Sequence, residues 1–463
     1  MMTREISEIR GKKVLVVGLA RTGVALCHLL VRHGAVVTVS DHKSKAELSN
    51  SLDKMADLDV TYELGGHTPK TFLQQDIIIL SPGISPNLKL FDYAKSHGVK
   101  VTGEFEFVTQ YIKEPIIAIT GTNGKTTVSS LLRAMFDEEG ITNWLGGNFG
   151  APMSEYMLAE KPAQIVIAEV SSFQLEHVEN FKAKNIIFTN MAENHLDRYK
   201  TMEDYINAKR KIFLNTNQNT TSILNADDNA VVELARDPSV QRGRIFYFSR
   251  RPILEPQIMN IGGCVVVDDQ IKLRTGPEIK TFNVKNVKMK GKHSLENIMS
   301  SALAASENGV SPQSIQKVID NYNGLQHRLE YVRKVGGVLF YNDSKATNVH
   351  AVKRALNSFD ENIILVMGGK DTNLNYSPLI DDIKMRVKNL ILVGEAKERI
   401  NRDIGDYSET FLIGTFEEAI HMAYQKSRID DIVLLSPGCS SFDIFDSYIE
   451  RGNYYKEIVN KFK

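Results

Sequence analysis

The chain has 463 residues, with 56 Lys plus Arg set against 56 Asp plus Glu and a hydrophobic content of 42%. That length suits about three domains of ordinary size. The even charge gives no footing for a nucleic-acid partner, and no apolar stretch approaches the roughly 20 residues of a membrane-spanning helix. The opening MMTREISEIRGKK has no apolar signal-peptide core, and the three cysteines, Cys27, Cys264 and Cys439, are widely spaced. A reducing, cytoplasmic setting without a disulfide or zinc framework is therefore expected.

Residues 12–18, KKVLVVG, form a strand pattern that runs into Gly18-Leu-Ala-Arg21-Thr22-Gly23 and an apolar helix pattern over 24–31. A second strand, 35–40, ends at Asp41, about 20 positions after the first glycine. This βαβ opening resembles a dinucleotide-binding fingerprint, except that Ala20 stands where a glycine lets a pyrophosphate come close. Either a diphosphate is held here or the turn is only a tight strand–helix junction; Asp41 is a ligand carboxylate or a solvated strand end. Ala20 weighs against a nicotinamide-dependent oxidoreductase. A further strand, 76–80, ends in Ser81-Pro82-Gly83, where binding loops of open parallel sheets lie. Positions 1–112 read as one Rossmann-like α/β domain.

The pattern restarts after Glu114-Pro115. The buried-strand run Ile116–Ile119 stops at a polar turn, Thr120-Gly121-Thr122-Asn123-Gly124-Lys125-Thr126-Thr127, and an amphipathic helix pattern follows over 128–135. This is a phosphate cradle. Gly121 and Gly124 let successive N–H groups and a helix N-terminus point at an anion, Lys125 adds a cation, and Thr126 offers a hydroxyl suited to Mg²⁺. It departs from the usual spacing in one place, with Ile119 where a first glycine is expected. Trp144-Leu-Gly-Gly-Asn148-Phe-Gly reads as a glycine-rich loop. Strands over 164–168 and 185–189 end at Glu169 and at Asn190-Met-Ala-Glu-Asn-His195-Leu-Asp-Arg-Tyr199. Glu169 can complete the coordination of a Mg²⁺ that bridges phosphates, or merely cap a turn. His195, a poor ligand for a hard cation, suits orientation or proton transfer. A helix-like stretch over 205–213 carries Lys209, and alternating valine-rich segments over 245–288 suggest a β-rich excursion.

An alanine-rich helix over 298–307 closes a central domain, 113–326, of the P-loop ATPase-like kind with a mainly parallel sheet. The last segment, 327–463, repeats the α/β rhythm in a second Rossmann-like domain. Its strand patterns end in Asn342-Asp343-Ser-Lys345-Ala-Thr347, Gly368-Gly369-Lys370-Asp371, Gly394 and Ser436-Pro437-Gly438, and a polar helix follows over 449–459. The fold class is thus α/β in three domains.

Taken together, these motifs carry a resemblance to the Mur ligases of bacterial cell-wall synthesis. They are Ile119-Thr-Gly-Thr-Asn-Gly-Lys125-Thr-Thr, Gly146-Gly-Asn148, Glu169-Val-Ser-Ser-Phe-Gln-Leu-Glu176, Asn194-His195-Leu-Asp197-Arg-Tyr199, Asn342-Asp343-Ser-Lys345-Ala-Thr347-Asn and Arg451-Gly-Asn. Val17-Gly18-Leu-Ala-Arg-Thr-Gly23 and Phe-Gln-Leu-Glu most resemble the members that add D-glutamate to UDP-N-acetylmuramoyl-L-alanine. The resemblance implies an ATP-dependent amide ligase with Mg²⁺, two ions being expected, acting as a monomer.

It also implies roles. Lys125 and Thr126 bind the ATP phosphates and Mg²⁺ within the loop Gly121, Thr122, Asn123, Gly124 and Thr127. Glu169 holds the first metal and His195 sits at the second, with Lys209 as a carbamate supplying a further oxygen donor. Asn297, Arg328, Asp343 and Lys345 match positions that contact adenine, phosphate and ribose. Arg21, Thr22, Asp41 and Asn148 match those that hold the UDP-sugar, and Thr347, Ser441 and Tyr448 match the amino-acid pocket. Ser294 departs from an asparagine that contacts adenine in relatives, and Lys370-Asp371-Thr372 leaves open which cation meets the incoming side-chain carboxylate. Sister ligases for other amino acids, a folylpolyglutamate synthetase and a nucleotide-binding regulatory switch remain the alternatives.

Overall fold

The computed structural model describes residues 6–84, 88–192, 198–285, 287–289, 292–359 and 362–463. Apolar runs become strands at the expected places, and the most continuous of them lie deepest. All five residues of both β6 (Ile116–Thr120) and β8 (Ile165–Glu169) are buried, as in a parallel sheet covered on two faces.

Among the described residues there are three sheets. The first has the order β3-β2-β1-β4-β5 with every pair parallel: β1 (Lys13–Val17), β2 (Val36–Asp41), β3 (Val60–Leu64), β4 (Ile77–Leu80) and β5 (Lys100–Gly103). The strand order reverses beside β1, and the turns after β1 and β4 meet there. Ser81 Oγ donates to Gly18 O at 2.8 Å, and a Cβ on Gly23 would collide with that same carbonyl. Strands β3 and β5 carry weak alternation and are absent from the sequence reading; pairing against apolar neighbours makes them strands.

The second sheet adds β7 (Asn143–Gly147), β9 (Asn185–Phe188), β10 (Thr221–Asn225), β11 (Arg244–Ser249), β12 (Gly263–Val267), β13 (Gln270–Arg274) and β14 (Ile279–Asn283). Its order is β14-β13-β12-β11-β10-β9-β6-β8-β7, parallel as far as β12 and antiparallel through the last two hairpins. The excursion read as β-rich over 245–288 also contains a helix, Glu255–Ile261. The glycine-rich stretch from Trp144, read as a loop, is largely the edge strand β7, paired from Asn143↔Ile165 to Gly147↔Glu169. Glycine is a poor strand former alone, but here the partner backbone comes so close that a Cβ on Gly147 (φ +98°) would strike Glu169 O.

The third sheet, β15-β16-β20-β17-β18-β19, comprises β15 (Glu330–Val335), β16 (Val338–Asn342), β17 (Ile363–Gly368), β18 (Val387–Val393), β19 (Glu409–Leu412) and β20 (Ile432–Leu435). Only β15 and β16 are antiparallel, joined at Gly336-Gly337, where both φ values are positive. Period-two alternation divides its core. Ile364 and Val366 pack on one face, Leu365 and Met367 on the other.

The chain forms two compact units, Met1–Asn283 with Glu296–Val318, and Val284–Leu295 with Ile319–Lys463. The first two sheets share a unit because the helix Glu104–Thr109 is built into both. Phe105, Phe107 and Val108 join the core that holds Ile116, Met153 and Phe181. Glu104 Oε1 accepts from Ser154 N at 2.8 Å, and the Glu106 carboxylate accepts from Asn180 N and Phe181 N. Among the described residues no helix is long and apolar enough to cross a membrane.

Candidate active site

In the first unit, β6 ends at Thr120 and the helix Lys125–Glu139 begins with Gly124 as its N-cap. Between them the backbone turns through Gly121 (φ +132°) and Gly124 (φ +84°), values that side-chain-bearing residues avoid. A Cβ at Gly121 would strike Thr189 Oγ1, and one at Gly124 would strike Asn297 Oδ1. The buried Asn297, on the helix Lys292–Glu307, therefore lies against the loop. The strand next to β6 clamps the turn. Thr122 N donates to Asn190 O, Asn123 N donates to Asn190 Oδ1 at 2.9 Å, and Thr189 Oγ1 donates to Asn123 O at 2.6 Å. The helix N-terminus then turns its first N–H groups and the positive end of its dipole towards the loop. Lys125 Nζ lies over the same turn, donating to Gly121 O at 3.0 Å and Thr122 O at 2.9 Å. Thr126 is buried in the first helical turn, with Thr127 half-buried beside it.

Glu169 ends β8 beside Ile119 of β6. Its Oε1 accepts from Asn148 Nδ2 at 2.8 Å, and its Oε2 is buried without a hydrogen-bond partner among the described residues. Lys209, on the helix Met202–Arg210, is 1% exposed. Its Nζ donates to Gly121 O at 2.9 Å and to Thr120 Oγ1 at 3.4 Å, and lies 4.9 Å from the centre of the Tyr205 ring. Burial, and then repulsion from Lys125, push the Lys209 ammonium well below the ordinary lysine range, against the pull of Glu169. The loop thus brings together an orphaned carboxylate oxygen, an amine driven towards neutrality, a cation and a helix N-terminus. This set fits a Mg²⁺–triphosphate. Such an ion needs only one or two protein oxygens and completes its shell with phosphate and water. Among the described residues no group of three His, Cys, Asp or Glu forms a metal cage. His195 lies outside the described residues.

On the first sheet, Thr22 is half-buried in the first turn of the helix Arg21–Arg32. Arg21 forms a two-point ion pair with Glu155 at 3.0 and 3.1 Å and donates to Gly150 O at 2.7 Å. Asp41 is buried. One of its oxygens accepts from Leu19 N at 2.7 Å and the other from Lys43 N at 2.9 Å, so the carboxylate pins the turn after β1. Asn148, matched by resemblance to UDP-sugar contacts, has its amide on Glu169.

In the second unit, Asp343 is buried at the end of β16 and accepts from Ser436 Oγ at 2.8 Å and Leu329 N at 3.1 Å. Burial raises its carboxyl to about 7, against those bonds and the nearby Arg328. Lys345 Nζ lies 5.4 Å from the Tyr448 ring, and Thr347 N donates to Lys345 O. Ser441 is buried; Tyr448 opens the helix Tyr448–Lys461. Two supports lack a role in the sequence reading. His327 holds φ +62° with its ring buried, and its Nδ1 lies 3.0 Å from Asn342 Nδ2. Arg451, 2% exposed, donates to Ser344 Oγ and to the carbonyls of Ser344, Cys439 and Ser440. With Gly368 O 3.5 Å from its Nη1 as well, that gathers three strand-end loops around one guanidinium. The Arg451-Gly-Asn motif is visible in one dimension, but its burial is not.

A phosphate loop at the switch point of a parallel sheet, with a strand-end carboxylate beside it, defines a nucleotide-dependent phosphoryl-transfer enzyme. Family models match in three blocks: the Mur ligase MurD-like N-terminal domain over residues 12–103, the Mur ligase middle domain over 119–305, and the Mur ligase glutamate ligase domain over 327–439. The chain belongs to the Mur ligase family. It is 66% identical over 461 residues to the UDP-N-acetylmuramoylalanine–D-glutamate ligase of Bdellovibrio bacteriovorus, covering 100% of both chains. Its identity to the enzyme of the same name from Geotalea daltonii is 42%, covering 98% of each. Solved structures share the fold at low identity. One is a pseudomurein peptide ligase type C from Methanothermus fervidus (TM-score 0.55, 19% identity, 98% of this chain and 100% of that one). Another is the UDP-N-acetylmuramate-alanine ligase of Thermotoga maritima (TM-score 0.55, 14%, 97% and 99%).

Proposed function

We propose that this chain joins the amine of D-glutamate to the carboxylate of UDP-N-acetylmuramoyl-L-alanine, using ATP and passing through an acyl phosphate, in peptidoglycan precursor synthesis. The observation that carries the phosphoryl-transfer half is Glu169, whose Oε2 is buried next to the phosphate loop and has no partner among the described residues. D-Glutamate as the amine rests on the names of the full-length relatives.

The chemistry starts from a difficulty. A carboxylate repels nucleophiles and has no good leaving group, and phosphorylation by the ATP γ-phosphate supplies one. The amine then attacks, a tetrahedral intermediate forms, and phosphate departs to leave the amide. In this reading Gly121 to Thr127 hold the phosphates, and Lys125 turns from the loop carbonyls to the transferred group. Mg²⁺, when bound, offsets the charge gathered where triphosphate and carboxylate meet. Thr126 and Glu169 would hold one ion; His195 and Lys209 would hold a second. A neutral Lys209 suits the carbamate. Its lone pair bonds to the carbon of CO₂, the nitrogen gives up a proton to solvent, and the neutral amine becomes an anionic carbamate whose oxygens are hard donors.

Arg21, Thr22, Asp41 and Asn148 are assigned to the UDP-sugar, Asp41 through the turn it pins. Asn297, Arg328, Asp343 and Lys345 are assigned to the rest of ATP, and Thr347, Ser441 and Tyr448 to D-glutamate. The functional segments are 1–112 for the UDP-sugar, 113–326 for ATP and 327–463 for the amino acid, acting as a monomer in the cytoplasm. Phosphate release assayed over a panel of amino acids and UDP-sugars tests the proposal. Release should require both D-glutamate and UDP-N-acetylmuramoyl-L-alanine. Equal release without an amino acid would instead point to a nucleotide switch.

A further inference from the structure

Arg198 and Glu176 stand outside the roles assigned so far, yet they join the loops of two sheets. Arg198 Nε and Nη2 donate to the two oxygens of Glu176 at 3.0 and 2.6 Å, and Nη2 also donates to Ile84 O at 3.2 Å. The side chains are only 15% and 13% exposed, and the guanidinium carbon lies 4.2 Å from the centre of the Phe173 ring. Ile84 belongs to the turn after β4. Its N–H donates to Ser81 O, and its side chain lies against Gly18 of the turn after β1. On the other side, Glu176 follows the short helix Ser172–Leu175 beyond Glu169, and its Oε1 also accepts from Tyr199 OH at 2.6 Å. Tyr199 packs on Tyr205, whose hydroxyl lies 3.3 Å from Thr122 Oγ1 in the phosphate loop. A continuous line of contacts therefore runs from the turn at Gly18 to the phosphate cradle, with one guanidinium at its joint.

We infer that Arg198, held by Glu176, is a positioning residue that sets the substrate carboxylate carried by the first sheet against the phosphate loop of the second. The inference rests on the reading that the first sheet holds the UDP-sugar. Phosphoryl transfer needs near-contact geometry, and a misplacement of about 1 Å can cost on the order of 100-fold in rate. Only a planar fork can serve both Glu176 oxygens and the Ile84 carbonyl together; a lysine at this position keeps the charge and loses the geometry.

The test compares UDP-N-acetylmuramoyl-L-alanine with the same muramoyl-alanine lacking its uridine, in the full-length enzyme and in Arg198→Lys. Remote binding energy is expressed at the reacting centre only if the connection between them is stiff. In the wild type the full substrate should give a much larger kcat than the truncated one. In R198K the full-substrate kcat should fall about 10- to 100-fold with KM for ATP within about 3-fold, and the ratio of the two kcat values should shrink at least 5-fold. Glu176→Gln, which keeps the shape and removes the charge, should move the ratio the same way by less, and it serves if R198K does not fold. A ratio unchanged within 2-fold in a folded variant, even with a lowered Tm, would mean the pair is only a brace and overturn the inference. A wild type silent with both substrates would overturn the function itself, a failure visible without any variant.

Discussion

Glu169→Gln should separate function from stability with opposite signs. The side chain keeps its shape, and Asn148 Nδ2 still finds an acceptor at the position of Oε1, 2.8 Å away. What disappears is a negative charge on an oxygen that is buried and has no partner among the described residues. One unit charge about 4 Å from a bound cation, at an effective dielectric of about 20, is worth about 4 kcal/mol. On that scale kcat/KM for MgATP should fall on the order of 10²- to 10³-fold. Removing the charge should relieve at most roughly 1 kcal/mol of desolvation, because the amide NH₂ that replaces Oε2 is still an unpaired buried polar group. In a unit of this size that corresponds to a Tm unchanged or raised by about 2 °C. Coupled phosphate release against MgATP concentration, with a thermal melt of the same sample, reads both. A folded variant with near-parental kcat/KM would refute the metal assignment, and a Tm lowered by several degrees would refute the account of the orphaned oxygen.

Lys125→Ala should abolish amino-acid-dependent phosphate release while the protein stays folded, and near-normal turnover would remove Lys125 from the mechanism. Because burial drives Lys209 towards its neutral form, turnover should fall in CO₂-stripped buffer and return with bicarbonate. Lys209→Ala should be inactive and partly rescued by short carboxylic acids; a variant as active as the parent without them would show the carbamate is not needed. Glu104 is fully buried, and burial raises its carboxyl to about 7 despite the bond from Ser154. A raised carboxyl stabilises below its unfolded value near 4.5, and that contribution is lost as pH rises through about 7. The change is worth about 3 kcal/mol at most. E104Q should therefore gain Tm relative to the parent at pH 8 and not at pH 4.5, and a gap independent of pH would refute this. Arg451→Met should unfold the second unit more easily by about 3–5 kcal/mol, since it strands the carbonyls the guanidinium gathers; an unchanged melt would show that those loops hold without it.

The strands that lie deepest were readable because burial on both faces leaves an unbroken apolar run, as at Ile116–Ile119 and Ile363–Met367. The phosphate loop was readable because its glycines answer a local backbone demand. The edge strand β7 was not: its glycines look like a loop until the register with β8 is known. Thr189 and Asn190, which clamp the loop, lie more than 60 residues from it, and no spacing rule links such positions.

By itself the sequence determined the α/β rhythm, the cradle at Gly121–Thr127 and the family, because short-range sterics and hydrophobic periodicity are written in neighbouring residues. Which oxygen of Glu169 lacks a partner among the described residues, why the Lys209 ammonium is pushed well below the ordinary lysine range, and that Arg451 is buried among carbonyls were decided only by the tertiary structure. Desolvation and Coulomb terms depend on what surrounds a group in space. For Lys209 those surroundings come from residues 120, 121, 125 and 169, which folding alone brings together.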